Sequence, residues 1–196
     1  MGAFACFRRV TGVDLRGFGR SEKLTYEDVC RIRRFTDDII ALAKDLDAEK
    51  VDFLGTSRGG FTVAQRAPAP WGRLILGHTG PKISIPADIM KKRLRELTET
   101  VMDTFSAIVA RQTLSPDADP ILIGRIADMI VRNDPMIYRR ILLEGLSNFD
   151  VTDPLKSVAR HSLVLTGQYE KVIPPFEGKE LACLLPNIAP VRLCPT

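Results

Sequence analysis

Gly55-Thr56-Ser57-Arg58-Gly59-Gly60 is the stretch on which the reading of this chain turns. Val51-Asp52-Phe53-Leu54-Gly55 runs into it with the residue types of a strand, and Gly59 to Gln65 opens a helix beyond it. Pro68 and Pro70 end that helix, because proline lacks the amide hydrogen that would continue it. G-x-S-x-G spacing at a strand-to-helix junction has a mechanical reason. The turn is sharp and its backbone strained, and Gly55 and Gly59 let the crowded chain pass. The helix then presents free amides and the positive end of its dipole toward the turn, where negative charge is favoured. The backbone N–H of Arg58 is the oxyanion-hole donor such a site would use. Two readings follow: Ser57 as a nucleophile, or an ordinary βα turn with a capping serine. The strand before and the helix after favour the first.

Working outward, short β-branched runs alternate with amphipathic helices, the pattern of an α/β fold around a mainly parallel sheet. Arg9-Val10-Thr11-Gly12-Val13-Asp14 reads as a strand, followed by the turn-rich Arg16-Gly17-Phe18-Gly19-Arg20-Ser21. Thr25-Tyr26-Glu27-Asp28 offers a capping hydroxyl and a carboxylate three residues on, a helix start. Val29, Ile32, Phe35, Ile39, Leu42 and Leu46 continue it as one apolar stripe that should lie against the sheet. Arg73 to Gly77 is the next strand. From Ile85 to Phe149 only helices are predicted: one marked by Met90, Leu94, Leu97, Val101, Phe105 and Ile108, then Ile121–Val131 and Met136–Leu146. The strand signal returns at Ser162–Gly167, and a helix over Phe176–Leu185 and a strand over Pro190–Leu193 close the chain.

Composition bounds the function. The chain has 196 residues, 45% hydrophobic and 27% charged, values of one ordinary globular domain. It contains no apolar run of about 18 residues, so no membrane helix is expected. Arg8 and Arg9 follow the first apolar residues rather than precede them, the reverse of a secretory signal. The net charge of +4 is mild. Its densest basic run, Lys91-Lys92-Arg93-Arg95, lies in a helical pattern without interleaved aromatics, which reads as a solvated face and not a nucleic-acid surface. Cys6, Cys30, Cys183 and Cys194 form no CxxC pair, and there are two histidines, so free cytosolic thiols are expected and a zinc site is not.

Asp14-Leu15-Arg16-Gly17-Phe18-Gly19-Arg20-Ser21 resembles the D-x-R-G-x-G-x-S segment after the fourth strand of the α/β-hydrolase family. The helix, strand and Gly55–Gly60 turn follow in that family's order. Leu163-Val164-Leu165-Thr166-Gly167-Gln168-Tyr169-Glu170 resembles its later strand ending in G-x-x-D, and Val172-Ile173-Pro174-Pro175 continues the match. The resemblance implies a core of residues 1–84 and 150–196 and a helical cap or lid over 85–149. It implies Ser57 as nucleophile and Glu170 as the acid that orients a histidine, where glutamate replaces the commoner aspartate. From the residues alone, Glu170 also reads as a solvated loop carboxylate. Asp14 and Arg16 are expected to hold their turn. The implied reaction is hydrolysis of a small-molecule ester or related acyl substrate, since a serine at this turn disfavours the dehalogenase and epoxide-hydrolase branches, which use aspartate. No metal or organic cofactor is implied, and the family's usual setting is the cytoplasm.

The family's base histidine lies in a loop beyond its last strand, and here the sequence stops at Thr196. Its first strands and their His-Gly loop, source of the second oxyanion donor, have no counterpart before Arg9. The resemblance thus covers the middle of the family's domain and reads as truncated at both ends. Without the family's third strand, Val10–Asp14 must pair directly with Val51–Gly55 or leave an edge unpaired, at about 1–3 kcal/mol per buried unsatisfied amide. Exposed apolar faces and marginal stability are expected, and a sharp melting transition without dye-binding surface would contradict this. His161 precedes its strand, at the wrong end of the sheet for a site. His78 follows the strand beside that of Ser57 and reads either as a substitute base or as a hydrogen-bonded rim residue. Three functions stay open: an ester hydrolase, a non-catalytic binding protein on the same scaffold, and a fragment without function of its own.

Overall fold

Residues 2–25, 31–48, 50–64, 71–83, 86–145, 149–189 and 191–194 are described by a computed structural model. The β-branched and leucine-rich runs form four strands: β1 Val51–Thr56, β2 Trp71–Gly77, β3 Ser162–Gly167 and β4 Arg192–Cys194. They pair in parallel in the order β1-β2-β3-β4. Parallel neighbours need crossover connections, and helices supply them. α3 Arg58–Ala64 lies between β1 and β2 and α9 Pro175–Leu184 between β3 and β4, while α2 Ile32–Asp45 precedes β1. Leu74, Leu76 and Val164 are fully buried in the sheet, and Phe35 of α2, Phe61 of α3 and Leu181 of α9 pack into the same core. Phe61 meets Phe149 edge-to-face at 5.0 Å, the arrangement that aligns a positive ring edge with a negative ring face.

Between β2 and β3 the chain is helical, as its periodicity predicts. The helices are α4 Ala87–Glu99, α5 Met102–Thr113, α6 Pro120–Val131 and α7 Pro135–Arg140, which runs into a π-helical turn over Ile141–Gly145; α8 Thr152–Leu155 then leads to β3. Two Asp-Pro pairs start α6 and α7. Asp119 accepts the Ile121 amide at 2.8 Å, and Asp134 accepts those of Met136 and Ile137 at 2.8 and 3.0 Å. Each proline sits at the first helical position, where its missing N–H costs nothing. This part has its own small core of Leu97, Phe105, Val109, Tyr138 and Leu142.

Two expectations are corrected. Arg9–Asp14 is not a strand: α1 Gly2–Ala5 precedes it, and residues 9–15 have no regular structure. A strand persists through its ladder partners, and among the described residues no strand lies beyond β1 to pair with it. Val10 and Val13 are accordingly 38% and 44% exposed. Second, the helix expected to run through Val101 breaks there into α4 and α5. Thr100 and Val101 are extended, and Val101 is 68% exposed, so the periodic position faces solvent and not the core. α2 as described begins at Ile32, with Arg31 before it. The start signal at Thr25–Asp28 and the stripe residue Val29 fall largely on residues 26–30, outside the described residues, as do Gln65, Pro68, Pro70, Ile85 and Leu146.

The turn after the irregular segment is built as expected. Asp14 accepts the Arg20 amide at 3.0 Å. Arg16 forms a two-pronged ion pair with Asp38 of α2, its Nη2 donating to Oδ1 at 2.6 Å. The apolar exposure expected around β1 is also present, since Leu54 is 58% exposed and Phe4 and Phe7 are exposed near the amino end. An apolar residue on an edge strand is a template for association, which lysine blunts. Leu54→Lys should therefore reduce binding of a hydrophobic dye and light scattering at equal concentration. Unfolding free energy should change by no more than about 0.5 kcal/mol, so denaturant titration run beside both measurements separates surface from stability effects.

Candidate active site

Ser57 occupies the one-residue turn between β1 and α3, with a left-handed backbone at φ 52°. Non-glycine residues adopt this region rarely, and such outliers cluster at functional sites. Hydrogen bonds hold it on two sides: its amide donates to Gly77 O at 2.8 Å, and its carbonyl accepts the Phe61 amide at 3.0 Å. A Cβ at Gly55 would fall 2.3 Å from Gly59 O and 2.7 Å from Gly60 N, so the first turn of α3 lies directly on the end of β1. Glycine at 55 is a steric requirement. At Gly59 a Cβ would meet nothing within 4 Å, which corrects the expectation that both flanking glycines relieve crowding. The second crowded position is Gly60, where a Cβ would lie 2.8 Å from Thr79 Cβ. Arg58 opens α3, where first-turn amides lack helical acceptors. Its guanidinium stacks on Phe18 at 4.8 Å, tying the turn to the Arg16–Ser21 segment.

The strand register brings further groups to the same end of the sheet. Thr56 pairs with Gly77, and Gly77 with Leu165, so β1, β2 and β3 finish side by side. His78 follows β2 directly, with a second left-handed backbone at φ 48°, and its amide donates to Leu165 O at 2.9 Å. Its Nδ1 lies 3.3 Å from Glu170 Oε2, with the imidazole 28% exposed and the carboxylate 7%. The contact is close and electrostatic, although the N–H is off the line of a well-formed hydrogen bond. Glu170 is thus no solvated loop carboxylate. Its Oε1 accepts the amides of Val172 and Ile173 at 2.7 and 3.3 Å. Burial pushes its pKa up, but the His78 imidazole and these two amides outweigh it, and the net direction is down.

Other candidates stand apart. His161 precedes β3, at the amino end of the sheet, with its carbonyl accepting the Leu74 amide. Cys6 and Cys183 are exposed and form no disulfide among the described residues, and Cys30 and the Cys194 side chain lie outside them. On α4, Lys92 and Arg95 lie 3.9 Å from Glu96 and Glu99. Among the described residues no three His, Cys, Asp or Glu side chains gather as metal ligands, and no helix is long and apolar enough to cross a membrane.

The fold as a whole is similar to known structures. A hydrolase from Pseudomonas aeruginosa matches 93% of this chain and 70% of its own with a TM-score of 0.78 at 22% identity. The enol-lactonase of Burkholderia xenovorans matches 92% of this chain and 70% of its own, also at 0.78, with 24% identity. A thermophilic esterase from Thermogutta terrifontis matches 90% and 67% at 0.71, with 26% identity. The chain has the α/β-hydrolase fold. Among curated proteins, the 3-hydroxybutyrate-oligomer hydrolase of Cupriavidus necator is 35% identical over 79 residues, 39% of this chain and 27% of that protein. No family model matches the sequence. The chain spans about two thirds of the solved structures and just over a quarter of the curated relative.

Two substitution series test this geometry. Gly55→Ala should destabilise by about 1–3 kcal/mol or prevent folding, because its neighbours are backbone atoms that cannot yield. Gly59→Ala should be neutral or slightly stabilising, and thermal melts rank the two. Glu170→Gln should cost about 1–3 kcal/mol at pH 7 through the lost charge beside His78. A depressed carboxyl pKa contributes stability above the unfolded value and loses it as pH falls through the folded value. The gap between wild type and Glu170→Gln should therefore narrow as pH drops from the ordinary 4.5, as melts between pH 7 and 3 would record.

Proposed function

We propose that this chain is the core of a serine hydrolase acting on carboxylic esters or related small acyl substrates. Ser57 is the nucleophile, Glu170 the acid that orients a histidine, and the Arg58 amide an oxyanion donor. One observation carries the reading: the left-handed backbone of Ser57 on a turn whose neighbouring Gly55 admits no side chain. That turn lifts the hydroxyl off the end of β1 and aims the first amides of α3 at the same space. Support also comes from the names of similar proteins, an esterase, an enol-lactonase and an oligomer hydrolase.

In this reading the Ser57 hydroxyl attacks the acyl carbon while a histidine takes its proton. The carbonyl oxygen gathers negative charge beside the Arg58 amide, the alcohol leaves with the proton, and water then releases the acid and restores Ser57. Residues 1–84 and 150–196 form the catalytic core, and 85–149, with their own small core, form the cap over the site. The reaction calls for no metal and no organic cofactor, and its setting is the cytoplasm, where free cysteines stay reduced.

One observation favours a second reading, a binding protein on the same scaffold. Among the described residues no hydrogen bond joins the Ser57 hydroxyl to a histidine. Apo sites often leave this bond long, so reactivity decides. A fluorophosphonate probe should label the 196-residue chain once, as read by intact mass, and labelling should vanish in Ser57→Ala. A folded chain that takes up no probe would leave the binding reading.

A further inference from the structure

The pairing of His78 with Glu170 is the feature of this site that the family resemblance does not account for. Three adjacent parallel strands deliver three chemically matched groups in spatial order. Ser57 follows β1, His78 follows β2, and Glu170 lies three residues past β3. Neighbouring strands are about 4.8 Å apart, so the His78 backbone follows the strand between those that Ser57 and Glu170 follow. The backbone fixes this order tightly: Ser57 N bonds to the carbonyl of Gly77, the residue before His78, and His78 N bonds across to Leu165.

Glu170 is set up as an acceptor for one partner. Its Oε1 is taken by the amides of Val172 and Ile173, which leaves Oε2 toward His78 Nδ1 at 3.3 Å. A carboxylate at Nδ1 selects the tautomer with its proton there and leaves the Nε2 lone pair as acceptor. The imidazole is mostly buried yet not sealed, which a group exchanging protons with substrate requires. The left-handed backbone of His78 is a strain that an ordinary rim residue has no reason to keep. His161, the other histidine of the sequence, lies at the opposite end of β3.

We propose that His78, oriented by Glu170, is the general base that takes the proton of the Ser57 hydroxyl. This inference rests on the proposed serine-hydrolase reading and names the base that reading requires. Nε2 accepts the Oγ proton as Oγ bonds to the acyl carbon and the carbonyl π pair moves to oxygen. Collapse breaks the acyl–oxygen bond, and the leaving alkoxide takes the proton from Nε2. Water then attacks the acyl-enzyme while Nε2 accepts its proton, and that proton returns to Ser57 as the acid departs.

The test is the rate of fluorophosphonate labelling at Ser57, with thermal melts beside every variant. Glycine tolerates the left-handed backbone and leaves a cavity, and asparagine tolerates it better than most residues. His78→Gly and His78→Asn should both slow labelling about 100-fold or more, the usual contribution of a positioned base. Added imidazole should recover part of the loss in His78→Gly alone, a response that a merely structural role would not give. Should neither variant fold, His161→Asn leaves His78 the sole histidine. Ethoxyformylation of that protein should then abolish labelling in step with one modified imidazole. Wild-type labelling rates in folded His78 variants, or in ethoxyformylated His161→Asn, would overturn His78 as base while leaving Ser57 a nucleophile. Absence of labelling in the folded wild-type chain would overturn the serine-hydrolase reading itself, and this proposal with it.

Discussion

Ser57 holds a backbone conformation costing of order 1–3 kcal/mol, and it does so because three constraints converge on it. The amide is bonded to β2 through Gly77, the carbonyl is committed to the first turn of α3, and that turn sits on Gly55 with no room for a methyl group. Relaxing the serine would require β1 and α3 to separate. Separation would uncover Phe61 of α3, which is buried in the main core, and Phe53 of β1, which packs against the same core. The packing of the sheet thus sustains the strain at the turn.

The same sheet organises everything chemical in the molecule. Parallel pairing puts all carboxyl ends on one side, where Ser57 follows β1, His78 follows β2 and Glu170 past β3 lies 3.3 Å from His78. Two left-handed residues, Ser57 and His78, occur directly after adjacent strands. Each turns its chain off the sheet where the next side chain would otherwise continue the pleat. Burial alone would weaken Glu170 as an anion, but two backbone amides and the imidazole keep it charged, so the low-dielectric setting strengthens its hold on His78.

The helical insertion is less tightly coupled. It has a separate cluster around Phe105 and Tyr138, whose rings meet edge-to-face at 5.5 Å, and Ile137, Ile141 and Phe149 join it to the main core. Ile141 of the π-helical turn belongs to the main core, whereas Leu142 belongs to the insertion's own. Ile137 and Tyr138 of α7 divide between the two cores in the same way.

Local rules were enough for much of this. The strands around residues 51–56, 73–77 and 162–167, the helical character of the insertion and the turn at Ser57 are written in β-branched runs, apolar spacing and a G-x-S-x-G pattern, all properties of neighbouring residues. Arg9–Asp14 has strand composition too, yet it stays irregular because pairing requires a partner that composition cannot supply. Val101 keeps the period of a helix but faces solvent, because the direction of the next helix is set by packing. Gly55 and Gly59 are alike in the motif, and only the approach of α3 distinguishes the crowded one from the open one. His78 and Glu170 are 92 residues apart in sequence, and their 3.3 Å contact exists only because β2 and β3 pair in one register. The sequence by itself determined the three strands, the helical insertion and the turn at Ser57, because each is a pattern among neighbouring residues. The tertiary structure alone decided which side chains meet, since contacts between strands depend on register and on partners that no local pattern encodes.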